Sequence, residues 1–178
     1  MKIKTFGDKR IIIREFLKRD LQNVKTFQDF INSVVKEDVQ IVVNKRFSLR
    51  EEKKWLNSQL GEVRNGKKVF LAAEDKNNNK IVGIICISLG IGRQSHIGNL
   101  EICIRDGYRG IGLGKYLMKE IIGLAKKKLE QKFIRLSVFS TNKPALAFYK
   151  KLGFKKVARI PKQINYKGKL VDEIIMTK

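Results

Sequence analysis

The chain is poor in the residues that build metal centres and disulfide frameworks. Its 178 residues hold one histidine, His96, and two cysteines, Cys86 and Cys103. A structural or catalytic zinc needs three or four convergent ligands, and two isolated cysteines with one histidine do not supply them, so no metal is expected. A disulfide scaffold needs more cysteines and an oxidising compartment, so both thiols are expected reduced, inside strand-like runs of a core. Long apolar runs are missing too. The longest, Ile81 to Gly92, is too short to span a bilayer, and the N-terminal MKIKTFGDKR lacks the apolar stretch of a secretory signal. The expectation is a cytoplasmic protein without membrane contact. With two prolines and no Pro/Gly/Ser linker, repeat or low-complexity tract, residues 1–178 read as one domain.

Acidic residues are scarce as well: 17 Asp and Glu face 39 Lys and Arg, giving a formal net charge of +22. Such an excess attracts polyanions over long range. The lysines are spread along the chain and do not form one tail or helix face. Nucleic acid therefore stays open as a partner, beside the simpler reading of a solvated basic surface.

What is present is a regular alternation of strand and helix patterns. Arg10 to Phe16 is rich in β-branched residues and reads as a first strand. From Asp20, apolar residues recur at helical spacing through Val35, and Ser48 with Glu51 three positions later forms the capping box of a second helix. KKVFLAAED and KIVGIICISL around an Asn-rich turn make a hairpin, and His96 to Arg105 reads as a further strand. A helix with apolar positions Leu113, Leu117, Ile121 and Leu124 follows, then a strand from Phe133 to Phe139. Asn142 and Pro144 open another helix, Gly153 closes it, and a last hairpin ends the chain. The order β-α-α-β-β-β-α-β-α-β-β describes an α/β domain around one mixed sheet.

Between a strand and a helix lies GYRGIGLGKYL, Gly107 to Leu117. It is not a dinucleotide fingerprint, because GxGxxG finds Lys115 or Leu117 at its last position. Nor is it a Walker loop, because Arg109 occupies the first glycine position and Tyr116 replaces the metal-binding hydroxyl. Glycines there let N–H groups approach an oxyanion, and the helix N-terminus adds partial positive charge. The N–H groups from Gly110 to Lys115 could so wrap a pyrophosphate, with the Lys115 charge beside them. A plain tight turn is the alternative for the loop taken alone.

Two stretches together resemble the GNAT superfamily of acetyl-CoA-dependent N-acetyltransferases. EICIRDGYRGIGLGKYLMKEI is similar to the family's strand, (Q/R)xxGx(G/A) loop and helix. About thirty residues on, SVFSTNKPALAFYKKLGFKKV is similar to its N-x-x-A-x-x-x-Y-x-x-x-G-F segment, with Asn142, Ala145, Tyr149, Gly153 and Phe154 in register. The resemblance implies a central, mostly antiparallel mixed sheet flanked by helices, with a splayed parallel strand pair holding acetyl-CoA as cosubstrate. It implies that the backbone of Ile102, Cys103 and Ile104 meets the pantetheine arm and that Arg109, Gly110, Ile111, Gly112, Leu113, Gly114 and Lys115 hold the pyrophosphate. Asn142 would bond the pantetheine, and Tyr149 would protonate the departing thiolate as general acid. The acceptor would be an amine, small or peptidic, bound between the first two helices and the last hairpin, in a monomer or homodimer.

No general base stands out. Where many N-terminal protein acetyltransferases of this family carry a glutamate, on the strand leading to Asn142, this chain has Ser137. Glu101 is the nearest carboxylate on the preceding strand, though alternation turns it away from Ile102 and Ile104. His96 lies far back along that strand, Glu173 is a further candidate, and deprotonation through water stays open.

Overall fold

The computed structural model describes residues 1–178. Eight strands form one sheet: β1 (Lys2–Phe6), β2 (Lys9–Glu15), β3 (Lys68–Asp75), β4 (Lys80–Leu89), β5 (Ile97–Ile104), β6 (Phe133–Phe139), β7 (Lys155–Tyr166) and β8 (Lys169–Thr177). Four α-helices flank it: α1 (Val24–Lys36), α2 (Leu49–Arg64), α3 (Leu113–Lys128) and α4 (Lys143–Lys151). The strand order is β1-β2-β3-β4-β5-β6-β8-β7, antiparallel throughout except between β5 and β6. The expected mixed, mostly antiparallel sheet is the one observed. No helix is long and apolar enough to cross a membrane.

Two expectations at the N-terminus need correction. A strand precedes the first expected one: in β1 only Phe6 is buried, so its lysine-rich alternation hid it, and Gly7, at φ +60°, turns the chain into β2. The helix expected from Asp20 begins at Val24 instead. Asp20 sits in a 3₁₀ turn, where its Oδ2 accepts from Leu17 N–H at 2.7 Å and its Oδ1 lies 2.7 Å from the Arg14 guanidinium. That buried ion pair, extended by Arg14 to Glu74, draws the chain across the end of β2 before a regular helix can start.

The other local signals are realised as written. Ser48 Oγ accepts from Glu51 N–H at 3.2 Å while Glu51 Oε2 accepts from Ser48 N–H at 2.8 Å, the reciprocal box that opens α2. Alternation then divides the sheet into two apolar faces. Val69, Leu71, Ile85, Leu100 and Leu136 pack under α3 and α4, and Phe70, Ala72 and Cys86 pack under α1 and α2. Burying the apolar side chains of both faces is what fixes which strand neighbours which.

Candidate active site

β5 and β6 are the parallel pair, and they stay paired over only three positions: Ile97 with Phe133, Gly98 with Ile134, Asn99 with Arg135. Beyond them β5 continues against β4 as far as Ile104, and β6 continues against β8 as far as Phe139. The two strands therefore part, leaving a wedge open toward their C-terminal ends. Arg105 N–H donates to Val82 O at 2.9 Å, so alternation turns the backbone of Cys103 toward β4 and that of Ile102 and Ile104 into the wedge. Neither Ile102 nor Ile104 donates its N–H to another residue across that gap. The Cys103 backbone, by contrast, is spent on the ladder.

The glycine loop closes the wide end of the wedge. Gly107, Gly110 and Gly112 have φ of +74°, +76° and +90°, a region that costs other residues free energy, and Gly112 is the left-handed cap of α3. At Gly114 the reason is space: a Cβ would stand 3.3 Å from Ile104 Cδ1 and 3.4 Å from the Phe148 ring. The backbone N–H groups of Gly110, Ile111, Gly112, Leu113, Gly114 and Lys115 donate to no protein acceptor. Six consecutive free donors at a helix N-terminus form a concave, electropositive nest for an anion. Lys115 is exposed beside them.

Three side chains that sequence reasoning passed over hold this loop. Phe6, on the unexpected strand β1, lies 4.0 Å from where a Gly112 Cβ would stand and meets Tyr116 edge-on with centroids 5.7 Å apart. Tyr108 donates its hydroxyl to Asp75 Oδ2 at 2.6 Å; burial, then that carboxylate, pushes the phenol upward. Glu37, at the end of α1, accepts from the Asp106 N–H at 3.2 Å and from the Arg109 guanidinium. Arg109 also donates through Nε to Ile104 O at 2.7 Å. Its side chain thus braces the loop. No local pattern signals the contacts of Phe6, Tyr108 and Glu37, because each joins residues far apart in the chain.

Tyr149 is brought to the wedge by α4. Asn142 Oδ1 caps that helix, accepting from Ala145 N–H at 3.2 Å, which leaves the Asn142 amide NH₂ free. The Tyr149 ring is buried between Phe148 and Phe154, with centroids 5.4 and 5.9 Å away. Burial, and secondarily the neighbouring Cys103 thiol, pushes its phenol up to about 12. It holds its proton across the neutral range. Burial likewise pushes Cys86 and Cys103 up to about 12, so neither thiol is a thiolate nucleophile, and both are free of disulfides.

On the α1/α2 face of the wedge stand two carboxylates. Glu101 projects from β5, 3.9 Å from Cys86 Sγ and exposed. Glu173 comes from β8, where it pairs with Phe139, and reaches back to accept a hydrogen bond from Ser137 Oγ on β6. A carboxylate from β8 thus stands against Ser137. His96 is remote, at the start of β5, with its ring edge-on to Phe133. Next to Glu173, Phe139 and Tyr166 pack edge-on at 5.7 Å and line a cavity of about 250 Å³. Its remaining wall is the α1–α2 connection, Val39 to Asn44, with Gln163 to Asn165 of β7.

The same chain features are found in proteins already described. A family model for the acetyltransferase (GNAT) family matches residues 35–154. The chain is 33% identical over 86 residues to the L-amino acid N-acetyltransferase AaaT of Escherichia coli K12, and that match covers 48% of this chain and 53% of the relative, about half its length. In three dimensions it is similar to an acetyltransferase of the GNAT family from Streptococcus pneumoniae, with a TM-score of 0.80, 27% identity, and coverage of 94% and 98% of the two chains. It also shares its fold with a phosphinothricin acetyltransferase from Sinorhizobium meliloti solved in complex with acetyl-CoA, at a TM-score of 0.79, 16% identity, and coverage of 94% and 87%.

Proposed function

The chain belongs to the GNAT acetyltransferase family, and from that premise we propose that it transfers the acetyl group of acetyl-CoA directly to a primary amine. The observation that carries this reading is the run of six unpartnered N–H groups from Gly110 to Lys115, set at the mouth of a wedge into which the Ile102 and Ile104 N–H groups point without a partner across it. That donor set fits a pyrophosphate at the nest and an amide-bearing arm along the strand. When bound, acetyl-CoA supplies an activated thioester.

The residues of the chain then divide the work. The backbone donors of the nest hold the phosphates, and the free amide of Asn142 adds a donor near the arm. The N–H groups of Ile102 and Ile104 offer oxyanion-type donors where negative charge develops during attack. Tyr149, still protonated at neutral pH, gives its proton to the leaving thiolate. Glu173 takes the proton from the attacking amine. It is the better placed of the two carboxylates, because Ser137 orients it and its strand partner Phe139 lines the cavity, whereas Glu101 is turned toward Cys86.

Acetyl-CoA at a hundredfold excess over Kd is expected to raise the Tm by about 5–10 °C. Gly112→Glu should abolish the rise. A screen with labelled acetyl-CoA across amino acids, peptides and small amines then identifies the acceptor. A melting curve that acetyl-CoA leaves unmoved overturns the reading.

A further inference from the structure

The +22 charge is unevenly distributed along the fold. Residues 131–178 carry twelve Lys and Arg against two acids, while the first 130 carry 27 against 15. Between Glu130 and Asp172 there is no acidic residue at all. Both acids of this C-terminal part are engaged internally. Asp172 accepts from Arg159 and from the Lys162 N–H, at 3.0 Å for the latter, and Glu173 is held by Ser137. The basic side chains of the strand β7 are left unneutralised, apart from Arg159.

β7 is also the last strand of the sheet, so one of its edges pairs with nothing. Every residue from Lys155 to Gln163 is exposed, including Val157 at 57% and Ile160 at 38%. Lys155, Lys156 and Lys162 stand among these apolar side chains. Lysines on an edge strand discourage pairing with a second copy of the same edge, since like charges would meet. The same charges are complementary to an acidic strand. The edge bears no exposed aromatic side chain: Phe154 is buried and Tyr166 packs on Phe139. A stacking platform for nucleic-acid bases is therefore missing, while the stretches of β7 on either side of its bulges, at Val157 and over Pro161 to Gln163, offer an open edge to an extended polypeptide.

The far end of the strand makes the connection to chemistry. Gln163 to Tyr166 line the 250 Å³ cavity beside Glu173. We propose that the acceptor amine is carried by an acidic polypeptide, which pairs along the outer edge of β7 and presents its amine at this cavity. This rests on the acetyl transfer proposed above. The basic arm selects the acidic body of the substrate, and the carboxylates at the wedge attract its single ammonium.

The test uses a twelve-residue peptide of alternating Glu and Val with a free amine and a C-terminal fluorophore, and dodecameric oligouridylate as the competing polyanion. Fluorescence anisotropy is read on the wild-type chain and on two triple variants of equal charge change. One is Lys155→Glu, Lys156→Glu and Lys162→Glu; the other is Arg50→Glu, Lys53→Glu and Lys54→Glu on the exposed side of α2. The expected result is about a tenfold or greater loss of peptide affinity in the β7 variant and less than about twofold in the α2 variant. Mass spectrometry should find the peptide amine acetylated when acetyl-CoA is present. Equal losses in both variants would mean bulk charge alone and overturn the proposal. Tighter, arm-dependent binding of the oligouridylate would overturn it in favour of a nucleic-acid surface. The acetyl-CoA melting shift on the same samples separates the two ideas: its absence sinks the transfer reading, while the anisotropy comparison still decides the docking edge.

Discussion

Arg109 of the glycine loop is ion-paired with Glu37 at the C-terminal end of α1 and donates to Ile104 O at 2.7 Å. One guanidinium thereby joins the helix that borders the cavity beside Phe139, the end of β5 and the glycine loop. Arg109→Ala is expected to weaken acetyl-CoA binding about tenfold, close to 1.4 kcal/mol, because the loop loses its preorganisation. Glu37→Gln keeps the bond to Ile104 and should cost less. Isothermal titration calorimetry measures both. Equal affinity for Arg109→Ala and wild type would show that the loop holds its shape unaided.

Gly112 tests whether the nest depends on backbone conformation or on open space. Only the Phe6 ring, at 4.0 Å, would meet an added Cβ, so no clash arises and the whole penalty is the φ of +90°. Gly112→Ala should cost about 1–2 kcal/mol, a Tm lower by about 2–8 °C for a chain of this size. The acetyl-CoA-induced rise should shrink in parallel, as a flipped loop would re-aim its N–H groups.

For Tyr149, Phe is nearly isosteric and preserves the packing against Phe148 and Phe154. Tyr149→Phe is expected to lower kcat by about 10²-fold while acetyl-CoA affinity and Tm stay unchanged. A phenol pushed up to about 12 also implies no alkaline loss of its proton below about pH 11. Steady-state kinetics with the acceptor from the screen reads the first point. An unchanged kcat would remove the general-acid role.

The Ser137–Glu173 pair predicts a rescue. Glu173→Gln should lower kcat without affecting acetyl-CoA binding, and adding Ser137→Glu to that variant should restore part of it, because the carboxylate returns from the β6 side. Glu101→Gln should have the smaller effect of the two single variants. If Glu101→Gln alone abolishes turnover, the assignment of the proton acceptor moves to β5.

Glu52 gives a pH-dependent stability. It is buried in the first turn of α2 without a hydrogen-bond partner, and burial raises its carboxyl from 4.5 to about 7. The unfolded chain releases this proton near 4.5 and the folded one near 7, so stability falls as pH rises between those values. Above them the cost is on the order of 3 kcal/mol. Glu52→Gln should flatten that decline and be the more stable chain at pH 8. Urea denaturation at pH 5 and pH 8 measures the difference.

Elements whose cause is local are legible in the order of residues alone. The Ser48 box, the Asn142 cap and the Gly153 stop depend on contacts within a few residues, and each is found where the spacing puts it. The loop is legible for the same reason, since three of its glycines answer a conformational need written into each residue. β1 is not, because a strand with one buried side chain carries little pattern. Asp20 misleads because a carboxylate before a helix usually caps it, whereas here Arg14 claims it from β2.

By itself, then, the sequence determined an α/β chain with one sheet, a glycine nest at a helix start and a tyrosine one turn beyond Ala145. Propensity, capping and periodicity are short-range, and they act before the chain has folded. The tertiary structure alone decided that β5 and β6 part after three pairs, that Glu37 braces Arg109 from 72 residues away, and that Glu173 of β8 meets Ser137 of β6. Those relations join residues far apart in the chain, and they exist only once two apolar faces have been buried and the strands have taken their order.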